Sequence, residues 1–155
     1  MIDGLLAHDR VRAARVHIER SDEATLARQA SLSAIPAPTG AERARGARVA
    51  QMLADAGLDD VTIDDVGNVR AWHGNCKTGS DCVVVAAHLD TVFGPELDVS
   101  VSRKGPRLEG PGIADNAPGL AALVTVGEAL VHARVRTQRP ILFAGTVGEE
   151  GSGDL

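Results

Sequence analysis

Five ionisable residues have the types and spacing of a metal site: His88, Asp90, Asp115, Glu149 and Glu150. An imidazole nitrogen with carboxylate oxygens is a ligand set that suits Zn²⁺, with Mn²⁺ or Co²⁺ as substitutes. Four carboxylates close together need a cation nearby, or some of them must take up protons. His88 is the one plausible protein cation in this set, so a bound metal is the natural counter-charge.

The spacing of these residues predicts different roles for them. Asp90 lies two positions after His88, where it can accept a hydrogen bond from the imidazole nitrogen that does not face a metal. Such a bond would fix the tautomer of the ring. The adjacent Glu149 and Glu150 cannot easily point at the same atom, so we expect two separate roles for them.

The elements around these residues predict that they meet at one edge of a sheet. Val83–Ala87 is a short β-branched run that predicts a strand buried on both faces, and Pro140–Gly145 predicts a second one. The nearly all-apolar segment Leu120–Val131 between them predicts a buried helix. Strand, helix and strand form a βαβ unit of a parallel sheet, and ligands bind at the carboxyl ends of such strands. We therefore predict an α/β fold with a mainly parallel sheet flanked by helices.

The first part of the chain predicts further helices and a pair of strands. Helical spacing of apolar residues predicts helices over Asp9–Glu19 and Glu23–Leu32. Thr39 with Glu42 three positions later is a capping-box signature, which predicts a helix that ends at Gly57. Val61–Ile63 and Val69–Trp72 are expected to be short strands.

These elements make a single domain over residues 1–155, with N-terminal helices in 1–34 and the metal-site region in 35–155. The histidine His17 is expected to be solvated.

Composition excludes several classes of function. The net charge of −5 argues against nucleic acid or a membrane surface as a partner, because both require a basic face. No apolar run reaches the roughly 18 residues of a membrane span. The first residues lack the features of a signal peptide, so a cytoplasmic location is expected. Cys76 and Cys82 could form a disulfide, but in that location we expect them to be reduced.

Other kinds of active site fit the sequence less well. Gly110–Asp115 begins like a dinucleotide-binding fingerprint, but its sixth position is an aspartate that would repel pyrophosphate. The segment GTVGEEG lacks the lysine of a phosphate-binding loop, and no GxSxG motif indicates a serine nucleophile.

Three ordered motifs carry a family resemblance: AHLDTV, GPGIADNAPGLAAL and GTVGEEGSGDL. With IPAPTG and GLDDVTIDDVGNV, they resemble the co-catalytic zinc peptidases and amidohydrolases. That family includes peptidase T, carboxypeptidase G, acetylornithine and succinyl-diaminopimelate deacylases, and aminoacylase. The resemblance covers roughly residues 32–155, and the branch of the tripeptide aminopeptidases looks most similar.

The resemblance implies an activity, a cofactor and a role for each residue. The activity would be hydrolysis of a peptide or N-acyl amino acid amide bond with two zinc ions. His88 would bind one zinc and Glu150 the other, while Asp115 would bridge them. Asp90 would orient His88, and Glu149 would be the general base.

The resemblance also implies parts that this sequence does not contain. The family has a further carboxylate ligand, a distal histidine and a lid or dimerisation domain. We therefore expect the N-terminal portion of a catalytic domain with an incomplete site, completed by a missing C-terminal segment or a homo-oligomer. The alternative is a non-catalytic fragment or interaction module that needs a partner chain.

Overall fold

The computed structural model of the protein describes residues 2–75 and 81–151. The helices in these ranges are α1 (Ile2–Leu6), α2 (Asp9–Arg20), α3 (Asp22–Ser33), α4 (Arg43–Asp55) and α5 (Ala117–His132). The strands are β1 (Asp59–Ile63), β2 (Val69–His73), β3 (Val83–His88), β4 (Ser102–Lys104), β5 (Arg107–Glu109) and β6 (Ile141–Thr146). The predicted helices and strands are all present, with small shifts at their ends.

The main sheet confirms the α/β class, but it is mixed rather than mainly parallel. Its strand order is β1-β2-β6-β3, and β4 pairs separately with β5. β3 and β6 are parallel neighbours, with His88 opposite Thr146, and α5 lies between them in the chain. β1 and β2 form an antiparallel hairpin, and β2 also pairs antiparallel with β6. The βαβ unit nevertheless brings the carboxyl ends of β3 and β6 side by side.

The prediction that β3 is buried on both faces is wrong for its first half. Val83 and Val84 are 48% and 57% exposed, because β3 is an edge strand of the described sheet. Its last two residues, Ala87 and His88, are buried. The strand thus passes into the core just before the candidate site.

The core lies where α4, α5 and the sheet meet. Its largest fully buried members are aliphatic apart from one phenylalanine: Leu32, Val49, Leu53, Val69, Leu89, Leu120, Val124 and Phe143. Gly127 of α5 allows close approach, since a Cβ there would lie 2.9 Å from Leu58 Cδ1. Among the described residues, no helix is long and apolar enough to span a bilayer.

The predicted capping box at the start of α4 is wrong. The N-cap position is Glu42, and its side chain makes no capping hydrogen bond to the helix. Glu42 Oε1 instead accepts hydrogen bonds from the amides of Gly40 and Gly148, while the Thr39 hydroxyl donates to Asp90. Both side chains face the candidate site instead of the helix. The predicted stop at Gly57 is confirmed, with φ at +83°.

The structure corrects the prediction for His17 and does not test the prediction for the two cysteines. His17 is not fully solvated, because its ring packs against that of His132 with centroids 4.4 Å apart. Cys82 is half-buried, whereas Cys76 lies outside the described residues, so the predicted state of this pair is not tested.

Candidate metal centre

The structure brings the five candidate residues together at the carboxyl ends of β3 and β6. One ligand atom from each of His88, Glu149 and Glu150 can be chosen so that all lie within 4.8 Å of one another. Asp115 Oδ1 lies 3.1 Å from His88 Nε2. These side chains come from three segments of the chain that only the βαβ topology makes neighbours.

His88 is the centre of this arrangement, because its two ring nitrogens face different surroundings. Nδ1 lies 3.1 Å from the Asp90 carbonyl oxygen and 3.4 Å from Asp90 Oδ1. Nε2 lies 3.1 Å from Asp115 Oδ1 and 3.8 Å from Glu149 Oε2. Both ring nitrogens face acceptors, so either can donate a hydrogen bond. With a metal at Nε2, the Asp90 oxygens would hold the proton on Nδ1.

Asp90 is fully buried behind the histidine, and its carboxylate is saturated with hydrogen bonds. Oδ1 accepts from the amide of Glu149 at 3.1 Å, and Oδ2 accepts from the amide of Glu150 at 2.8 Å. The Thr39 hydroxyl donates to Oδ2 at 2.9 Å. Asp90 therefore joins the end of β3 to the loop that follows β6.

These bonds keep Asp90 ionised. Burial alone would raise the pKa of the Asp90 carboxyl, but the bonds from Glu150, Thr39 and Glu149 outweigh it. The pKa of Asp90 consequently lies below its usual range. The ionised carboxylate faces the His88 ring and also orders the neighbouring loop.

A buried arginine supports the same turn from α4. Arg45 is 1% exposed, and its guanidinium donates to the carbonyl oxygens of Leu89 at 2.8 Å and Ile35 at 2.6 Å. Burial lowers the pKa of Arg45, while the nearby Asp90 opposes that shift. A planar donor group of this kind can bridge several carbonyls at once. Arg45 thus fixes the residue between His88 and Asp90.

The three carboxylates in front of His88 are far more exposed. The side chains of Asp115 and Glu149 are 73% and 61% exposed, and Glu150 is half-buried. Among the described residues, no lysine or arginine forms an ion pair with any of the three; their basic neighbour is His88. Free carboxylate oxygens that converge on one imidazole can accept a divalent cation.

A cavity of about 430 Å³ opens beside these carboxylates. Asp115 and Glu150 lie on its wall, together with the apolar side chains of Val92, Phe93 and Ile113. A ligand that contacts the carboxylates could therefore place an apolar group in the cavity.

Sequence reasoning missed four residues that shape the site: Thr39, Glu42, Arg45 and Asn68. The spacing of Thr39 and Glu42 predicts a helix cap, and Arg45 looks like any polar residue of an amphipathic helix. Asn68 lies between the two predicted strands Val61–Ile63 and Val69–Trp72 with no predicted role, yet its Oδ1 accepts from the Val147 amide at 3.0 Å. Thr39 and Asn68 lie in IPAPTG and GLDDVTIDDVGNV, two stretches of the family resemblance, whereas Glu42 and Arg45 lie outside its motifs.

Comparison with known proteins places this site in a family context. Residues 51–153 match the family described as Peptidase family M28. Succinyl-diaminopimelate desuccinylase from Herminiimonas arsenicoxydans is 31% identical over 134 residues, which is 82% of this chain and 35% of that protein. The uncharacterized protein YgeY from Escherichia coli K12 is 29% identical over 126 residues, or 76% of this chain and 30% of that protein. The chain thus spans about a third of the length of the curated relatives it matches.

Solved structures of peptidases share the fold. A tripeptidase from Staphylococcus aureus has a TM-score of 0.65 at 25% identity, covering 81% of this chain and 36% of that one. The di-peptidase Dug1p from Saccharomyces cerevisiae has a TM-score of 0.73 at 14% identity, covering 93% and 36%. The aminopeptidase PepT from Bacillus cereus has a TM-score of 0.67 at 24% identity, covering 82% and 36%.

Proposed function

Because the chain belongs to peptidase family M28, we propose that it carries the metal centre of an amide-bond hydrolase. The substrate would be a peptide or an N-acyl amino acid. The observation that carries this proposal is the convergence of His88, Glu149 and Glu150 at one sheet edge, with ligand atoms within 4.8 Å of one another. Asp115 adds a further carboxylate, 3.1 Å from His88 Nε2.

The donor set at this edge fits zinc. It offers one imidazole nitrogen and several carboxylate oxygens, a combination found in catalytic zinc sites. We propose that His88 and Glu150 would each hold a zinc ion and that Asp115 would serve as a ligand to both. When bound, zinc supplies Lewis acidity, which lowers the pKa of water and polarises a carbonyl group.

The chain's own residues would divide the remaining work. Asp90 accepts at Nδ1 of His88 and so keeps Nε2 available as a ligand atom. Glu149, exposed in front of His88, would take a proton from water on its carboxylate and deliver it to the leaving amine nitrogen. The backbone amide of Glu149 donates to Asp90, and this bond fixes the backbone from which the Glu149 side chain extends.

The cavity beside the carboxylates supports a substrate with an apolar group next to the scissile amide. Phe93 and Ile113 are half-buried and line it together with Val92. An apolar side chain or acyl group of the substrate would be desolvated there. A panel of dipeptides, tripeptides and N-acyl amino acids with apolar and charged groups would test this preference.

Zinc titration by calorimetry tests the proposal most directly. We expect saturable zinc binding by the whole chain and its loss in His88→Ala, with His8→Ala as a control at an exposed histidine away from the site. Hydrolysis of the substrate panel is then measured with Zn²⁺ or Co²⁺. Absence of zinc binding by the wild-type chain, or equal binding by His88→Ala, would contradict the proposal.

A second candidate is an interaction module completed by a partner chain. The exposed half of edge strand β3, with Val83 and Val84, favours it, because an unpaired strand edge can add a strand from another molecule. Size-exclusion chromatography with light scattering separates the two candidates. A monomer that hydrolyses the panel would rule out the second.

A further inference from the structure

The loop Val147–Glu150 is held to the rest of the molecule by side-chain acceptors. All four of its consecutive amides donate to side-chain oxygens from other segments. Val147 donates to Asn68 Oδ1 at 3.0 Å and Gly148 donates to Glu42 Oε1 at 3.2 Å. The next two amides, of Glu149 and Glu150, donate to the two oxygens of Asp90. The acceptors therefore come from three separate elements.

Glu42 is buried for a reason that helix capping does not explain. It is 5% exposed at the N-terminus of α4, where it makes no capping bond. Its Oε1 accepts from the Gly40 amide at 2.9 Å as well as from Gly148. A buried carboxylate requires such donors, and amide donors to a carboxylate make strong bonds. Glu42 thus joins the loop before α4 to the loop after β6.

Asn68 is held in place by a neighbouring aspartate. Its side-chain amide donates to Asp64 Oδ2 at 3.2 Å, and its backbone amide donates to Asp64 Oδ1 at 2.9 Å. These bonds leave Asn68 Oδ1 directed at Val147. The turn between β1 and β2 is in this way connected to the end of β6.

The position of this loop decides where two of the candidate site's carboxylates lie. The Glu149 side chain is 61% exposed and the Glu150 side chain is half-buried, so little packing restrains either carboxylate. We propose that Glu42 and Asn68 are positioning residues that hold Val147–Glu150 so that both carboxylates face His88. This inference rests on the proposed function in one respect, namely that Glu150 binds a zinc ion.

Four variants of the whole chain test the inference: Glu42→Ala, Glu42→Gln, Asn68→Ala and Leu53→Ala. Glu42→Gln keeps an acceptor oxygen and serves as the conservative rescue. Leu53→Ala leaves a cavity in the core on the same helix, and so lowers stability without removing any hydrogen bond to the loop. Amide hydrogen exchange at Val147–Glu150 is measured by NMR in metal-free protein, and the zinc dissociation constant by calorimetry.

We expect Glu42→Ala to raise the exchange rate at Gly148 and the zinc dissociation constant by about tenfold each. Glu42→Gln should stay within about threefold of wild type in both measurements. Asn68→Ala should raise exchange at Val147 and weaken zinc binding by a smaller factor. Leu53→Ala should change neither the local exchange of the loop nor the affinity for zinc.

The inference is overturned if Glu42→Ala and Asn68→Ala match either wild type or Leu53→Ala in both measurements. If Glu42→Ala does not fold, Asn68→Ala decides by the same criteria. If the wild-type chain binds no zinc, the proposed function fails, but exchange in metal-free protein still tests the positioning role. Faster local exchange in Glu42→Ala would then support that role, and unchanged exchange would refute it.

Discussion

Asp90 and Asp115 approach opposite nitrogens of the same imidazole, yet their surroundings differ completely. Asp90 faces Nδ1 of His88, is fully buried and accepts three hydrogen bonds from the protein. Asp115 faces Nε2, with a side chain that is 73% exposed. The region behind the histidine is thus saturated with protein donors, whereas the region in front offers free oxygens.

The difference shows that residue type does not decide what a carboxylate does at such a site. A buried carboxylate stays ionised only where the protein supplies donors, and these donors occupy its lone pairs. An exposed carboxylate keeps its lone pairs for a cation. We therefore expect substitutions behind His88 to lower stability as well as metal affinity, and those in front to change metal binding and catalysis with little change in stability.

The largest expected effect lies in front of the histidine. Glu149→Gln should lower the rate of amide hydrolysis by the zinc-loaded chain by about 10²- to 10⁴-fold, because glutamine cannot accept the proton. Its zinc affinity and its unfolding midpoint should remain close to those of wild type. Steady-state kinetics on the fastest substrate of the panel measures the rate, with the exposed Glu19→Gln as control. An unchanged rate would remove Glu149 from the proposed chemistry.

Behind the histidine, the expected effect is on folding. Asp90→Ala should lower the free energy of unfolding of metal-free protein by about 3 kcal/mol, because two part-buried amides and the Thr39 hydroxyl lose their buried acceptor. Urea denaturation measures the change. Asp115→Ala is the matched control and should shift this free energy by less than about 0.5 kcal/mol. If both variants lost the same free energy of unfolding, the proposed difference between the two regions would be wrong.

Substitution of Asp115 should change the affinity for zinc and leave the stability of the metal-free protein almost unchanged. Asp115→Asn should weaken zinc binding by about 100-fold, since loss of a ligand costs at least as much as loss of an outer partner. The free energy of unfolding without metal should hardly change. Calorimetric titration gives the affinity, and an Asp115→Asn protein that binds zinc like wild type would refute the ligand role.

The smallest effect should appear as a dependence on pH. The pKa of Asp90 is lowered in the folded protein, so its contribution to stability is complete above the unfolded pKa of about 3.9. That contribution is lost as the pH falls through the lowered folded pKa. The stability advantage of metal-free wild type over Asp90→Asn should accordingly be constant near neutral pH and shrink in acid. An advantage that grew on acidification would contradict the direction of the shift.

The sequence allowed the main features of fold and site to be predicted. His88 and the Glu149–Glu150 pair follow apolar runs, and parallel strands must end at a common edge, so their convergence could be expected. Three motifs predicted the relationship to peptidases and amidohydrolases, which the family match over residues 51–153 confirms. The roles of the individual residues remain predictions.

Other features depend on tertiary packing and were not accessible. The valines at the start of β3 have the pattern of a buried strand, but their exposure depends on the strand order. Glu42 fits a helix cap by local spacing, whereas its acceptor role requires Gly148, a residue 106 positions away. Local pattern cannot distinguish a cap from a long-range bond of this kind.

The separation of 106 positions between Glu42 and Gly148 affects the order of events during synthesis and folding. Glu42 and Asp90 leave the ribosome well before the amides of Gly148, Glu149 and Glu150, which later satisfy them. Contacts between residues so distant in the chain close large loops and form slowly. Helices α2, α3 and α4 can form before the end of β6 is made. The loop that carries the two glutamates is therefore expected to dock after these helices have formed.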